Sequence, residues 1–399
     1  MATTFKTFLN NDVISSRTLL NEAIPLTGTI VSGTYGALGS EKNIKNYSHG
    51  MFQSVYDYPY LSSSANHLMD ITCGYAATSS LSASSTRVQQ DKKINIYNQM
   101  AQVLMGYDAN GDIRRFDEDG DLTGGRKMNA CLFLNFSRLL TKDEIKKGSF
   151  VMNVGVGSAS YGNPTTGSWN VVKVYDYNAQ NEYRINSPAG EYGVLVVSGG
   201  MSSSANATNP PGFSPAELIE SGSTLTSSYG ATFTRIRPCG LIFYQAGIVV
   251  LSASLFQRSQ ASNDTRGVLD AGNFDAAGDP NWTGTSKLSS SMISSSIEVV
   301  ADGLRHRIRD IKFNNTTELN STIYFCRVNN NDFNYSSNPT YLSSSKIVVK
   351  QTTSDEPVSY ITSVGLYSSD NELLACAKLS EPLKKTPSNE FTLRVRLDY

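Results

Sequence analysis

"CGLIFYQAGIVVLSASLF", residues 239–256, carries no charged side chain over 18 positions and is flanked by Arg237 and Arg258. That length and polarity meet the minimum for a helix crossing a bilayer. A pair of buried strands accounts for more of it. Ile, Val, Phe and Tyr dominate, Ser252 and Ser254 alternate with apolar neighbours, and Gln245-Ala246-Gly247 supplies a turn near the centre. Read as strands, the stretch sits deep in a β protein; read as a helix, it would make the chain a host envelope protein.

Working outward, strand-like runs continue on both sides. Upstream, "SFVMNVGVG", "SWNVVKVYDYN", "EYRIN" and "EYGVLVVSGG" are separated by Asn, Gly and Pro turns, and "MNACLFLNFSRLL" is apolar on both alternating faces, as a central strand requires. "KKINIYNQMAQVLM", 92–105, predicts an amphipathic helix with Ile96, Met100 and Leu104 on one stripe, Tyr97 and Ala101 beside it and Gly106 as C-cap. "TKDEIKKG" predicts a further helical turn, with Thr141 and Glu144 at capping-box spacing. A short helix is expected at "SPAELIES", where Ser214 can cap and Pro215 can open the first turn. From Ile297, "IEVVADG", "LRHRIRDIKFNN", "STIYFCRVNN" and four later runs follow in quick succession, a pattern of β-sandwich type. The first 90 residues, with many Tyr among Ser, Asn and Pro, read as extended chain with short strands.

The expectation is therefore a mainly β chain with a few short helices (α+β). It has an extended N-terminal arm (1–90), a central mixed β domain with the amphipathic helix (91–256), a polar loop (257–296) and an all-β C-terminal domain (297–399). An arm of this kind needs something to lie on, either the rest of the chain or a neighbouring subunit.

Composition narrows the function. Of 399 residues 39% are hydrophobic, enough for a core, whereas the charged share of 17% lies below the ~25% of ordinary soluble domains. Ser, Asn, Thr, Gly and Tyr fill the difference, a surface suited to broad contacts between proteins. A net charge of −1 lacks the basic field of a nucleic-acid binder. Cys73, Cys131, Cys239, Cys326 and Cys376 are scattered, odd in number and mostly in apolar runs, which predicts reduced, buried thiols in a reducing compartment. The opening "MATTFKTFLNNDVISS" lacks the apolar core of a signal peptide, so the nine Asn-x-Ser/Thr matches read as by-products of composition.

Candidate chemistry is sparse. "GYDANGDIRRFDEDGDLTGG", 106–125, resembles a calcium loop at its start, but Ile113 stands where the loop counted from Asp108 needs Gly. Counted from Asp117, Leu122 takes that position and Met128 that of the final ligand. The stretch reads as Asn110-Gly111 and Asp119-Gly120 turns around a short strand, "DIRRF", with no metal site; Asp117, Asp119 and Asp121 are the weak candidates for an irregular one. His49, His67 and His306 lie in no nucleophile or metal motif, although His67 could face Asp70. "GVGSASYGNPTTG", 155–167, lacks the Lys-Ser/Thr and helix of a phosphate loop. Arg305, Arg307 and Arg309 alternate, which predicts three guanidiniums on one solvated or intersubunit strand face. No catalytic residue and no cofactor are expected.

The closing segment, "YITSVGLYSSDNELLACAKLSEPLKKTPSNEFTLRVRLDY", 360–399, resembles a V-G-L-Y, polar turn, L-L-A-x-A-K pattern in virion proteins of large tailed bacteriophages, including tail-fibre and tail-collar proteins. "NIKNYSHGMFQSVYDYPYLSSSANH", "KINIYNQMAQVLMGYD" and "NFSRLLTKDEIKKGSF" are similar to a structural protein of contractile-tailed phages, among them cyanophages. The resemblance implies a virion component assembled in the host cytoplasm, at the baseplate or fibre-attachment region of the tail, meeting other virion proteins and copies of itself. It supplies no catalytic residue, and no fibre shaft or receptor tip is expected. A neck, collar or head-decorating component is the same class elsewhere. A carbohydrate-binding or depolymerising appendage, stacking sugars on Tyr58, Tyr60 and Trp169 and using Asp117 and Asp119, is the alternative from another class.

Overall fold

The computed structural model describes residues 5–36, 40–79, 81–82, 88–122, 127–156, 170–176, 178–198, 236–256, 292–293, 295–336, 342–343, 346–347 and 352–399. In chain order its strands are β1 (Val13–Thr27), β2 (Ile44–Asn46), β3 (Gln53–Tyr56), β4 (His67–Tyr75), β5 (Ala130–Phe136), β6 (Glu144–Ile145), β7 (Val151–Val156), β8 (Asn170–Asp176) and β9 (Arg184–Ser187). They continue with β10 (Gly190–Ser198), β11 (Ile236–Phe243), β12 (Ile248–Ser252), β13 (Ile308–Val328), β14 (Leu342–Ser343), β15 (Lys346–Ile347), β16 (Ser359–Tyr367), β17 (Leu373–Lys385) and β18 (Phe391–Asp398). The α-helices are α1 (Gly28–Ser32), α2 (Val88–Leu104), α3 (Arg138–Thr141) and α4 (Ile297–Arg305). The chain is mainly β, as its composition and alternation led one to expect.

The uncharged stretch forms the end of β11 and all of β12, antiparallel partners with Gly240 opposite Leu251 and Phe243 opposite Ile248, while Ala253–Phe256, expected as strand, is a 3-10 turn. Gly247, at φ 67°, closes the turn and donates its N–H to Phe243 O at 2.9 Å. Leu241, Ile242, Val249 and Val250 are all fully buried, so both faces of the pair are covered. Among the described residues no helix is long and apolar enough to cross a membrane.

Two compact units divide the chain: unit 1 holds residues 1–20 and 318–399, and unit 2 holds 21–317. The boundaries expected from the sequence, at 90, 256 and 296, do not coincide with these. In unit 2 the strands run β13, β7, β8, β10, β11, β12, β5, β4, β3, β2 across one sheet. Neighbouring strands in this order are antiparallel; a tight turn joins β11 to β12, while α2 lies in the connection from β4 to β5. Helix α2 packs against β4, burying Ile96, Tyr97, Ala101 and Leu104, and Gly106 N–H caps it on Ala101 O and Gln102 O. Phe136, Phe150 and Phe313 pack as neighbouring rings, Phe136 and Phe313 with centroids 5.1 Å apart.

Several elements differ from the sequence reading. Residues 44–75, expected as extended chain with short strands rather than a compact unit, supply β2, β3 and β4 of the main sheet, with Val55, Met69, Ile71 and Tyr75 buried. "IEVVADG", expected as a strand, is α4: Ile297, Val300, Ala301 and Leu304 recur at helical spacing and are buried, and the Ser296 hydroxyl accepts Val299 N–H. The helical turn expected in "TKDEIKKG" lies earlier, as α3, because Ser137 caps it on Leu139 N–H. Glu144 and Ile145 then pair with Thr316 and Asn315 as β6. The alternating arginines do not share a strand face. Arg305 ends α4 fully buried, Arg307 is buried before β13 begins, and Arg309 is exposed. "SPAELIES", the glycine-rich loop at 157–167 and most of 257–296 lie outside the described residues.

Unit 1 is built of strands. The second part of β13 pairs with β18 from Ser321–Asp398 to Val328–Phe391, and β13 also neighbours β1. β16 and β17 form a separate two-stranded hairpin, and β14 pairs with β15 over two residues.

Candidate functional site

In unit 1, period-two alternation should put one row of each strand into a core. Along β18, Phe391, Leu393, Val395 and Leu397 occupy that row, and each is only half-buried. On β17, Ala375, Ala377, Leu379 and Leu383 are likewise half-buried, while Leu373 and Leu374 are 55% and 69% exposed. Among the described residues of the unit, Val328 and Leu366 are the only apolar side chains that are buried. The segment at 5–12 lies on these strands. Phe5 meets the Tyr367 ring at 4.9 Å, Phe8 meets Tyr324 at 5.4 Å, Lys6 pairs with Asp332, and Asp12 pairs with Arg327 at 2.5 Å. A groove of about 710 Å³ remains beside it, lined by Phe333, Tyr335 and Tyr360 among others. This half-finished packing surface, rather than any reactive group, is the feature that stands out.

The acidic stretch in unit 2 does bring Asp117, Asp119 and Asp121 together, with a carboxylate oxygen of each within 4.8 Å of the others. Asp117 is fully buried; its Oδ2 accepts Leu122 N–H at 2.8 Å and the Lys127 ammonium at 2.9 Å. Burial, then the neighbouring Asp117 and Asp121, push the Asp119 carboxyl above its ordinary range. The two expected turns are present, with Gly111 at φ 86° and Gly120 at φ 69°. Asp108 Oδ1 accepts the N–H groups of Asn110 and Asp112 at 2.8 and 2.9 Å. "DIRRF" makes one isolated bridge, Ile113 with Tyr107, rather than a strand, and Asp117 just after it bridges to Lys127.

His67 does face Asp70, with Nε2 2.8 Å from Oδ1. The Ser54 hydroxyl donates to the same oxygen at 2.5 Å. The carboxylate thus stands between hydroxyl and imidazole, whereas a nucleophile relay needs the imidazole between the other two. His49 Nδ1 accepts Met51 N–H at 3.1 Å, and its ring stacks on Tyr47. His306 is buried with Nε2 3.7 Å from Glu41, and burial pushes it down to about 4, so the ring is neutral at pH 7. Arg305, which sequence reasoning put at the surface, donates to Gln53 Oε1 at 2.7 Å, to Asp302 at 2.6 Å and to the carbonyls of Val31 and Ser32. Lys93, on α2, is also buried and holds the carbonyls of Met292 and Ser295 at 2.6 and 2.5 Å.

Tyr58, 46% exposed, meets Tyr35 edge-on, and Tyr60 lies 6.2 Å from Tyr56, ring to ring; Trp169 lies outside the described residues. Cys73, Cys131 and Cys239 are buried, as expected, and burial pushes the Cys73 thiol up to about 11. Cys326 is half-buried, and Cys376, on β17, is exposed, contrary to the reading of all five as interior. No family model, no curated protein and no solved structure matches the chain.

Proposed function

We propose that the chain is a structural protein of a tailed-bacteriophage virion, assembled in the host cytoplasm, whose work is protein–protein contact in the tail at the baseplate or fibre-attachment region. It acts without catalysis, cofactor or resident metal, and touches neither nucleic acid nor membrane. The observation that carries the reading is unit 1, where among the described residues two apolar side chains are buried and rows that alternate like core rows stay half-open. Obligate interfaces resemble a domain core cut in half, and an apolar row left half-open is what one such half looks like by itself. The phage placement rests on the resemblance of 360–399, which coincides with β16, β17 and β18 of the same unit.

A neck, collar or head-decorating position would use the same surface and is separated from the tail by location alone. The depolymerising alternative loses support from Asp117, which is buried and ion-paired and so offers no carboxylate to a sugar. The test is electron cryo-microscopy of intact particles with tryptic identification of their proteins. The chain is expected as tail density with unit 1 covered by neighbours; its absence from particles would sink the reading.

A further inference from the structure

We infer that unit 1 completes its core against unit 1 of a second copy of the same chain, so that the protein is an obligate homo-oligomer before it meets any other component. The inference names the partner for the surface on which the proposed function rests. Of the 22 large apolar side chains exposed among the described residues, 14 belong to unit 1. They include Ile14 and Leu20 on β1, Tyr360 on β16, Leu373 and Leu374 on β17, and Tyr399.

The area decides in favour of a stable partner. Aromatic side chains bury roughly 150–250 Å² each, so the Phe and Tyr members of the 14 at about half exposure, with the smaller Leu and Ile added, leave on the order of 1,000 Å² per chain. A standard stable interface takes ~800 Å² per partner. Charge presents no obstacle to a like partner. Unit 1 carries 10 Lys and Arg and 10 Asp and Glu, so its formal charge is zero and two copies meet without net repulsion. A docking site for a strongly charged foreign surface would carry the opposite sign. The missing core is also needed whenever the chain folds, and a copy of itself is the partner always present at matching concentration. A two-stranded hairpin such as β16–β17 is marginal alone and becomes stable when further strands cover its apolar row.

The test uses the full chain. Native mass spectrometry and light scattering are expected to give a whole multiple of 43.4 kDa at micromolar concentration. The double variant Leu374→Glu, Tyr360→Glu alters two side chains that are 69% and 51% exposed within one chain, and is expected to lower the mass to that of one chain. Val103→Glu, equally exposed but on α2 of unit 2, should leave the oligomer intact. Hydrogen exchange guards against simple misfolding. In the double variant β11 and β12 should keep their protection while β16 and β17 lose it. Wild-type protein that runs as a single chain overturns the inference, whether unit 1 is protected alone or becomes so only on adding another virion protein. A double variant that stays oligomeric overturns it too. An oligomer absent from particles would instead remove the virion reading and leave this one standing.

Discussion

Asp176, at the end of β8, accepts the N–H groups of Gly148 and Phe150 at 2.6 and 3.1 Å and the Tyr244 hydroxyl at 3.4 Å. Burial nevertheless pushes its carboxyl up to about 7, because three donors only partly replace lost water. In the unfolded chain the group gives up its proton near 4. Between about 4 and 7 the folded chain therefore holds the extra proton, stability falls as pH rises through that window, and the decline ends above 7. The total is at most about 4 kcal/mol, from three pH units at 1.36 kcal/mol each. Urea midpoints measured across the window should drop for the wild type, and Asp176→Asn should flatten the slope even though it loses one acceptor. Nothing in the sequence near Asp176 announces this burial, and the same is true of Arg305 and Lys93. A charge inside a protein is set by what the rest of the chain folds over it. The stripe on α2 could be read from spacing; that Lys93 would sit beside it, roofed by the carbonyls of Met292 and Ser295, could not.

At the level of elements, β11–β12 was the most legible piece, since β-branched residues and a central glycine agree, although the serine alternation runs past the strand, Ser254 lying in the 3-10 turn Ala253–Phe256. Close packing makes it sensitive. A methyl group at Gly240 would stand 2.2 Å from Val250 O on the paired strand. Gly240→Ala is expected to cost about 1–3 kcal/mol through overpacking, read as a lowered denaturation midpoint at unchanged m-value. α4 was misread for a physical reason. "IEVV" favours a strand by its branched residues, but the helical spacing of Ile297, Val300, Ala301 and Leu304 and the Ser296 cap outweigh that preference once β3 and β4 offer an apolar floor. That β2, β3 and β4 belong to the core sheet was hidden by their polar residues: Gln53 and Ser54 are buried because Arg305 and Asp70 take up their hydrogen bonds. A truncation removing residues 1–60 would thus strip β2 and β3 from the sheet, not merely an arm.

For the molecule as a whole, the mainly β class followed from composition and alternation, while the partition into units did not, because one unit draws on both ends of the sequence. The two units differ in how their stability arises. Unit 2 holds the whole cluster of buried core residues, from Leu26 to Phe313. Unit 1 contributes no residue to that cluster. Calorimetry is expected to resolve two transitions, with the midpoint of unit 1 rising with protein concentration by mass action and that of unit 2 constant. A single transition independent of concentration would contradict this.

The division of unit 1 between residues 1–20 and 318–399 also sets a clock on the ribosome. The strand partner of β1 is β13, so the first segment made has nothing to pair with until the chain beyond Glu318 emerges. At roughly 5–20 residues per second that delay is about 15–60 s, during which unit 2 can fold unaided. Unit 1 therefore takes shape only after all of unit 2 has been synthesised.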